Sequence, residues 1–358
     1  MTEDKLRYPA LFIDLDKLRH NTRHLVELCS RRGVDVAAVT KVYCAIPEVA
    51  AAQASCGVRW LADSRVENLR RMKHIPLPKM LLRLPSPSRV DEVVEVADIS
   101  LNSEIATLEA LSGAAVRAGR THEVLLMVDL GDLREGVLKE DAVPVARRIV
   151  ELPGLVLAGV GVNLTCYGGV LPSTDNLGEL VRTAEEIEAA CGVQLKIVSG
   201  GNSSSLKLMQ SEGLPERVNL LRLGESIVLG LETADGTRIP GTHRDVFTLT
   251  AEVVELKEKP SMPIGETGRD AFGQTPVFED KGIMRRAILA IGRQDVRIDG
   301  LFPRDRGAEI IGASSDHMLV DVTRCERPLK VGDMMEFDLS YGGLLSAMTS
   351  EYVSKKTL

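Results

Sequence analysis

A lysine at the end of an apolar run is the first residue that could do chemistry. Lys41 follows directly after Val34–Thr40, a run rich in β-branched and small apolar residues. An amine at the end of a buried strand loses part of its hydration, which favours the neutral, nucleophilic form. Lys41 could therefore form a Schiff base with a carbonyl compound. The alternative is that its long side chain extends to solvent at the rim of the fold and has no chemical role.

The second chemical signal is a segment of glycines and serines at Ser199–Ser205, which reads Ser-Gly-Gly-Asn-Ser-Ser-Ser. Two glycines permit close approach of the backbone, and successive amides, hydroxyls and a helix N-terminus favour a bound phosphate. The alternative is an ordinary glycine turn with serine caps.

Two arginines complete this set of candidates. Arg222 lies inside the apolar run Val218–Leu223, where a guanidinium needs an acceptor because an unpaired buried charge is costly. Arg134 lies in a loop after another apolar run and is either a second inward-facing cation or a surface residue. Asn163 ends the apolar run that begins at Leu155.

The pattern around these residues predicts the elements that position them. Short β-branched runs alternate with amphipathic stretches from Asp14 to about Gly230, which is typical of βα units around a parallel sheet. The predicted strands are Val34–Thr40, Val58–Ala62, Lys79–Leu84, Asp98–Leu101, Glu123–Leu130, Leu155–Asn163, Leu195–Ser199 and Val218–Leu223. Eight such units favour an α/β fold of the (β/α)8 TIM-barrel type, in which active sites collect at the carboxyl ends of the strands. An open doubly wound sheet gives a similar alternation.

The pattern changes after Gly230. Short strand-like runs separated by Gly, Pro and Asp predict a C-terminal all-β domain, and Thr233–Thr242 reads as the linker. We therefore predict a barrel domain over residues 1–232 and a β domain over 233–358, with residues 8–15 as possible partners of the β domain.

Composition excludes several classes of protein. The 358 residues carry 44 Lys+Arg and 51 Asp+Glu, a net charge of −7, without a dense basic stripe, so we expect no nucleic-acid partner. The longest apolar runs, such as Leu155–Val162, are shorter than the roughly 18 residues of a membrane span, and no membrane partner is expected. Met1–Arg7 is charged and is not followed by an apolar segment, which argues against a secretory signal. We expect a cytoplasmic location.

The six cysteines fit the same location. They include no Cys-x-x-Cys pair and no histidine at ligand spacing, so neither a disulfide framework nor a metal site is expected.

Read in order, the candidate motifs resemble a known family. They are Tyr8–Leu15 with Asn21, Val39-Thr40-Lys41, Val128-Asp129-x-Gly131 with Arg134, Gly200–Ser203, Arg222-x-Gly224, and Ser315-Asp316-His317 before Val320-Asp321. This series resembles the alanine racemase group of fold type III pyridoxal phosphate enzymes. Three segments are similar in sequence to its ornithine racemase branch, namely Thr40–Ala45, Asn163–Gly169 and Gly312–His317.

The resemblance implies a role for each matching residue. Lys41 would hold pyridoxal 5'-phosphate covalently and, once released, would move the α-proton of the substrate on one face. Arg222 would bond the pyridine nitrogen, and Arg134 would neutralise the ring oxygen or the substrate carboxylate. The remaining implied cofactor contacts are Asn163, Gly201, Asn202, Ser203, Ser204 and Tyr352, and the remaining implied substrate contacts are Ser315 and Asp316. Tyr43 lacks the spacing of the family's usual phosphate-binding tyrosine.

The second acid/base that racemisation needs is not assigned by the resemblance. The family uses a tyrosine followed by glycine, donated by the partner subunit, whereas the corresponding stretch here offers Phe272-Gly273. The candidates are His317, whose imidazole suits the task, and Asp270, followed by Cys166 and Tyr167. Asp270 could instead receive the distal ammonium of a dibasic substrate.

The function that the resemblance implies is therefore a racemase acting on a small or dibasic amino acid, with ornithine preferred and alanine or lysine next. A decarboxylase of the same fold type and a non-catalytic carrier of the cofactor are the alternatives. Because the family's β domain closes the neighbouring barrel, a homodimer is also implied.

Overall fold

The computed structural model describes residues 6–358, so the first five residues of the N-terminal segment discussed above lie outside it. The chain forms two compact units. One contains Leu15–Arg244, and the other combines the described residues up to Asp14 with Asp245–Leu358.

In the part of the chain that the structure describes, the first unit forms a closed barrel of eight parallel strands. The strands are β2 Asp35–Val39, β3 Trp60–Asp63, β4 Lys79–Leu81, β5 Ile99–Asn102, β6 His122–Met127, β7 Leu155–Gly161, β8 Ile197–Ser199 and β9 Leu220–Leu223. Closure occurs between β9 and β2, where Arg222 is paired with Ala37. The predicted (β/α)8 barrel is confirmed.

Helices alternate with these strands. They are α1 Leu15–Ser30, α2 Pro47–Ala54, α3 Val66–Arg71, α4 Val90–Val96, α5 Ile105–Arg117, α6 Lys139–Glu151, α7 Thr174–Cys191, α8 Ser205–Ser211 and α9 Glu225–Leu229. Helix α7 begins with a capping box in which Ser173 and Asn176 satisfy each other's backbone amides. None of the helices within residues 6–358 has the length and apolar character of a membrane span.

The barrel interior is filled by apolar side chains that alternate strands contribute in layers. The buried cluster consists of Ala37, Val39, Ala62, Met80, Ile99, Leu101, Leu125, Met127, Ala158, Ile197 and Leu220. This packing closes the centre of the barrel, so polar chemistry is confined to the ends of the strands.

The second unit is a β domain that also contains an α-helix. Its strands are β1 Ala10–Ile13, β10 Phe247–Pro260, β11 Ile283–Leu289, β12 Leu301–Pro303, β13 Glu309–Ala313, β14 Met318–Asp321, β15 Met334–Leu339 and β16 Ser354–Thr357, and its helix is α10 Tyr341–Thr349. Strand β1 pairs antiparallel with β10 and parallel with β16. The helix interrupts what the strand pattern alone predicted as all β, and the Ser340 hydroxyl caps its first turn.

The structure divides the chain between Arg244 and Asp245, whereas the sequence predicted a boundary between residues 232 and 233. The segment 233–242, predicted as a linker, belongs to the compact barrel unit. Leu231 and Arg238 form a β-bridge. The buried Asn21 of α1 accepts a hydrogen bond from the His243 amide at 2.7 Å and donates to the His243 carbonyl at 2.8 Å. These bonds join the segment to the first helix, so the barrel unit ends after it.

A buried histidine at the start of β6 gives a testable pH dependence of stability. His122 is 1% exposed, with its Nε2 2.8 Å from Ser100 Oγ. Burial lowers the pKa of His122 from 6.5 to about 4. The unfolded chain therefore binds a proton that the folded chain excludes, and stability present above pH 6.5 is lost as the pH falls towards 4. This one group should cost about 3 kcal/mol at pH 4.

Urea unfolding at pH 7.5 and pH 4 measures this effect. His122→Gln removes the titrating ring, so the loss of unfolding free energy between the two pH values should shrink by about 3 kcal/mol. His74→Gln, at an exposed position, is the matched control and should leave the loss unchanged. An equal pH dependence in wild type and His122→Gln would contradict the assignment.

Candidate active site

The polar residues of the barrel unit gather at the carboxyl ends of its strands. Lys41 comes two residues after β2 and opens a short 3-10 turn, Lys41–Tyr43, with its side chain half-buried. Glu225, at the start of α9, interacts electrostatically with Lys41, and burial raises the pKa of the Glu225 carboxyl. Tyr43 is fully buried and donates its hydroxyl to Gln53 Oε1 at 2.6 Å. That hydroxyl is thus committed to the protein interior.

A buried carboxylate fixes the residue before the lysine. Thr40 donates its hydroxyl to Asp63 Oδ2 at 2.6 Å. The other oxygen of Asp63 accepts from the Arg65 amide at 2.9 Å and from Asn68 Nδ2 at 3.0 Å. Burial raises the pKa of Asp63, while these hydrogen bonds oppose the shift. Asp63, which the sequence analysis did not single out, therefore anchors the end of β2 beside Lys41.

The glycine and serine segment forms a loop between β8 and α8. Gly201 has a φ of +106°, a left-handed conformation that favours glycine. The Ser203 hydroxyl is 2.8 Å from that of Ser226 and accepts from the Ser226 amide, so it closes the loop internally. Among the described residues, the Ser204 hydroxyl is buried without a hydrogen-bond partner. Asn202 accepts from the Ser204 amide at 2.9 Å and donates to the Leu164 carbonyl.

Arg222 lies in β9 with 3% of its surface exposed. Its guanidinium donates to Ser199 Oγ at 2.7 Å, to the Val162 carbonyl at 2.7 Å and to Asn163 Oδ1 at 2.6 Å. A Cβ on Gly161 would come within 3.3 Å of Arg222 Nη1, so the glycine provides room for the cation. Burial lowers the pKa of Arg222 to about 10, which still leaves the group charged at neutral pH.

Arg134 and Asn163 are joined by Glu135, a residue that the sequence analysis missed. Arg134 Nη2 donates to Glu135 Oε1 at 2.6 Å, and Arg134 Nε donates to Oε2. Asn163 Nδ2 donates to Glu135 Oε1. The same Asn163 accepts from Arg222, so one polar chain runs from Arg134 through Glu135 and Asn163 to Arg222.

A second missed carboxylate holds two loops of the site together. Asp132 is 1% exposed and accepts from the amides of Cys166, Tyr167 and Val170 at 2.8 to 3.2 Å. Burial alone would raise the pKa of Asp132, but these amides lower it below the usual value. The loop after β6 therefore fixes the loop after β7. Cys166 Sγ lies 3.3 Å from Asn202 Nδ2.

The other predicted site residues belong to the second unit. Asp270 accepts from the amides of Phe272 and Gln274 within an exposed loop. His317 Nδ1 lies 3.3 Å from Asp316 Oδ1, and the Ser315 hydroxyl donates to the same oxygen. Tyr352 is 71% exposed. Their roles at the substrate or cofactor stay predictions.

Comparison with known proteins agrees with this architecture. The family model for the alanine racemase N-terminal domain matches residues 13–231. The ornithine racemase of Acetoanaerobium sticklandii is 49% identical over 352 residues, covering 98% of this chain and 100% of that protein. The lysine racemase of Thermotoga maritima is 40% identical over 350 residues, covering 97% of this chain and 98% of that protein.

A solved structure shares the fold. The alanine racemase of Bartonella henselae with covalently bound pyridoxal phosphate has a TM-score of 0.74 at 17% identity, covering 98% of this chain and 99% of that chain. The predicted enzyme class, an amino-acid racemase, is confirmed by the sequence relatives. On the family model and these relatives together, the chain belongs to the alanine racemase family.

Proposed function

We propose that this racemase uses pyridoxal 5'-phosphate to interconvert L- and D-ornithine. The observation that carries the choice of substrate is 49% identity to an ornithine racemase along almost the whole chain. The lysine racemase at 40% identity makes lysine the second candidate. Both of these substrates are dibasic amino acids, and alanine ranks below them.

The barrel residues fit the proposed cofactor. A phosphate needs donors in a loop that the backbone can approach closely. Gly201 with its positive φ and the buried, unpartnered Ser204 hydroxyl meet this requirement. We propose that Gly201, Asn202, Ser203 and Ser204 hold the phosphate, with Ser203 contributing its backbone because its hydroxyl is committed to Ser226. We also propose Tyr352 as a cofactor contact.

Lys41 and Arg222 would then divide the chemistry. When bound, pyridoxal phosphate supplies an electron sink next to the α-carbon of the substrate. Lys41 would hold the cofactor covalently and move the α-proton on one face. Arg222 would donate to the ring nitrogen without transferring a proton, since a guanidinium stays protonated at neutral pH. Because the ring nitrogen would then stay unprotonated, electron withdrawal into the ring would be limited. That limit would favour return of the proton to the α-carbon, which is racemisation.

Four residues are candidates for the acid/base on the opposite face. His317 and Asp270 belong to the C-terminal unit, and Cys166 and Tyr167 belong to the barrel unit. We keep His317 and Asp270 as the proposed second acid/base, with Asp270 as the alternative receiver of the distal ammonium. Ser315 and Asp316 are the proposed substrate contacts.

Incubation of L-ornithine with the purified protein and cofactor tests the function. D-ornithine should accumulate until the two enantiomers are equal, measured by chiral chromatography, and deuterium from D2O should enter the α-position. L-lysine and L-alanine under the same conditions rank the alternatives. Carbon dioxide release without formation of D-ornithine would show a decarboxylase, and cofactor binding without α-proton exchange would show a carrier.

We also propose a homodimer located in the cytoplasm. In the C-terminal unit, Ile264 and Val277 are 91% and 95% exposed, and exposed apolar side chains in one segment favour an interface. Light scattering should then give about twice the chain mass of 38.9 kDa. The six cysteines include no Cys-x-x-Cys pair, which suits a reducing compartment.

A further inference from the structure

We propose that Glu135 is a positioning residue of the racemase, whose carboxylate holds Arg134 and Asn163 in place and, through Asn163, orients Arg222. This inference rests on the proposed function, because Arg134 and Arg222 are the cations proposed to meet the cofactor and substrate. Glu135 itself need not touch either.

The hydrogen bonds define this role. Both carboxylate oxygens of Glu135 accept from Arg134, a bidentate arrangement that fixes the orientation of the guanidinium plane. One of these oxygens also accepts from Asn163 Nδ2. That bond sets the direction of the Asn163 amide and turns its Oδ1 towards Arg222 Nη2, at 2.6 Å. Removing the carboxylate therefore releases two side chains and weakens the anchor of a third.

Charge gives a second reason for a carboxylate at this position. Arg134 and Arg222 are like charges in the same mouth of the barrel, and the charge of Arg134 lowers the pKa of Arg222. Glu135 lies between them with only 12% of its side chain exposed. Burial lowers the pKa of Arg222, and the Glu135 carboxylate opposes that effect. Without Glu135, the buried Arg222 would lose the nearby opposite charge that offsets the effect of Arg134.

The backbone around Glu135 is shaped to hold it. Leu133 has a φ of +54° and Gly136 a φ of +129°. A Cβ on Gly136 would lie 2.5 Å from the Asp129 amide nitrogen, so the glycine allows the loop to fold back against its own start. Non-glycine residues in the left-handed region are uncommon and need support from their surroundings. The Asp129 carboxylate supplies this support, because it accepts from the Leu133 amide at 3.1 Å. The loop leaves the Glu135 side chain only 12% exposed.

Glu135 differs in these respects from an ordinary surface ion pair. Glu151 bonds Arg148 at 3.0 Å, but both side chains are more than half exposed, and such a pair contributes little. Glu151→Gln is therefore a matched control, since it also removes one carboxylate from one arginine in the barrel unit.

The test compares Glu135→Gln with Glu151→Gln and wild type. Glutamine keeps the size of the side chain, but its amide N–H group would face the N–H donors of Arg134 and Asn163. We expect Glu135→Gln to lower kcat on ornithine at least about tenfold. It should also shift by about one pH unit the midpoint at which the visible band of bound pyridoxal phosphate titrates, with the melting temperature nearly unchanged. Glu151→Gln should match wild type in all three measurements.

A second variant separates the effect of the carboxylate charge from the effect of side-chain length. Glu135→Asp keeps the carboxylate but is one methylene shorter, so it can pair with Arg134 while losing Asn163. We expect its kcat and its titration midpoint to lie between those of wild type and Glu135→Gln. If Glu135→Gln does not fold, this variant alone decides the question.

Two results would overturn the proposal. One is a folded Glu135→Gln with wild-type kcat and an unshifted midpoint. The other is a loss of melting temperature with the midpoint unmoved, which would assign Glu135 a purely structural role. Failure of the proposed function is distinguishable, because wild type would then leave ornithine optically active while the cofactor titration of the variants could still be compared.

Discussion

Lys41→Ala is expected to abolish racemisation. The amine of Lys41 is proposed both to hold the cofactor and to move the α-proton, so both roles disappear with it. We expect kcat to fall by about 10³-fold or more, since a positioned acid/base alone contributes roughly 10² to 10⁴-fold. The visible band of the bound cofactor should be lost or displaced in the same variant. Chiral chromatography and an absorption spectrum on one sample measure both effects.

Two control variants are needed, one that keeps the positive charge at position 41 and one that removes a lysine elsewhere. Lys41→Arg keeps a cation at the same place but cannot add to an aldehyde at neutral pH, so it should be as inactive as Lys41→Ala. Lys73→Ala removes an exposed lysine that lies 3.8 Å from Glu95 and should retain full activity. Substantial turnover by folded Lys41→Ala would show that another amine carries the cofactor.

Arg222→Met is expected to reduce activity far more than stability. Methionine removes the cation that would face the ring nitrogen, and we expect kcat to fall by about 10²-fold or more, the size of effect seen when one preorganised donor is removed. Three hydrogen bonds are also lost, to Ser199, Val162 and Asn163. Burial of the guanidinium is itself costly, as its lowered pKa shows, so an apolar replacement recovers part of that loss.

The unfolding free energy of Arg222→Met should therefore stay within about 2 kcal/mol of wild type. Urea unfolding and steady-state kinetics on the same preparation compare the two losses. Arg217→Met is the control, because Arg217 pairs with Glu188 at 2.7 Å on a partly exposed surface outside the site. If Arg222→Met keeps its kcat, or loses stability and activity in parallel, a special role for the buried cation is wrong.

The barrel could be predicted from its regular series of apolar runs. Its central site residues could be predicted because they interrupt that series. Strands buried on both faces have continuous apolar sequences, and each of the eight predicted runs overlaps an observed strand. Lys41 and Arg222 stand out because a charged residue within or directly after such a run conflicts with burial. A local conflict of this kind is visible in a single sequence.

The supporting carboxylates were not predictable in the same way. Asp63 bonds a residue 23 positions away, Glu135 one 28 positions away and Asp132 one 35 positions away. Nothing near them in the sequence distinguishes them from solvated loop residues, since Glu135 next to Arg134 reads as a surface pair. Their roles arise only when barrel closure brings separate strand ends together.

The unit boundary was also set by contacts between distant residues. Composition placed the linker at Thr233–Thr242, where Gly, Pro and Asp accumulate. The structure joins Asn21 to His243, 222 positions away, and this bond holds the end of that segment in the barrel unit. Turn-forming composition marks a loop, but it does not tell which unit the loop packs against.

Borohydride reduction of the purified protein with its cofactor, followed by peptide mapping, tests the central claim most directly. Reduction makes the bond between a lysine amine and the aldehyde carbon of the cofactor permanent. We predict that the pyridoxyl label appears on the peptide containing Val39-Thr40-Lys41 and is absent from Lys41→Ala. A label on a different lysine, or none on a protein that racemises ornithine, would contradict the assignment of Lys41.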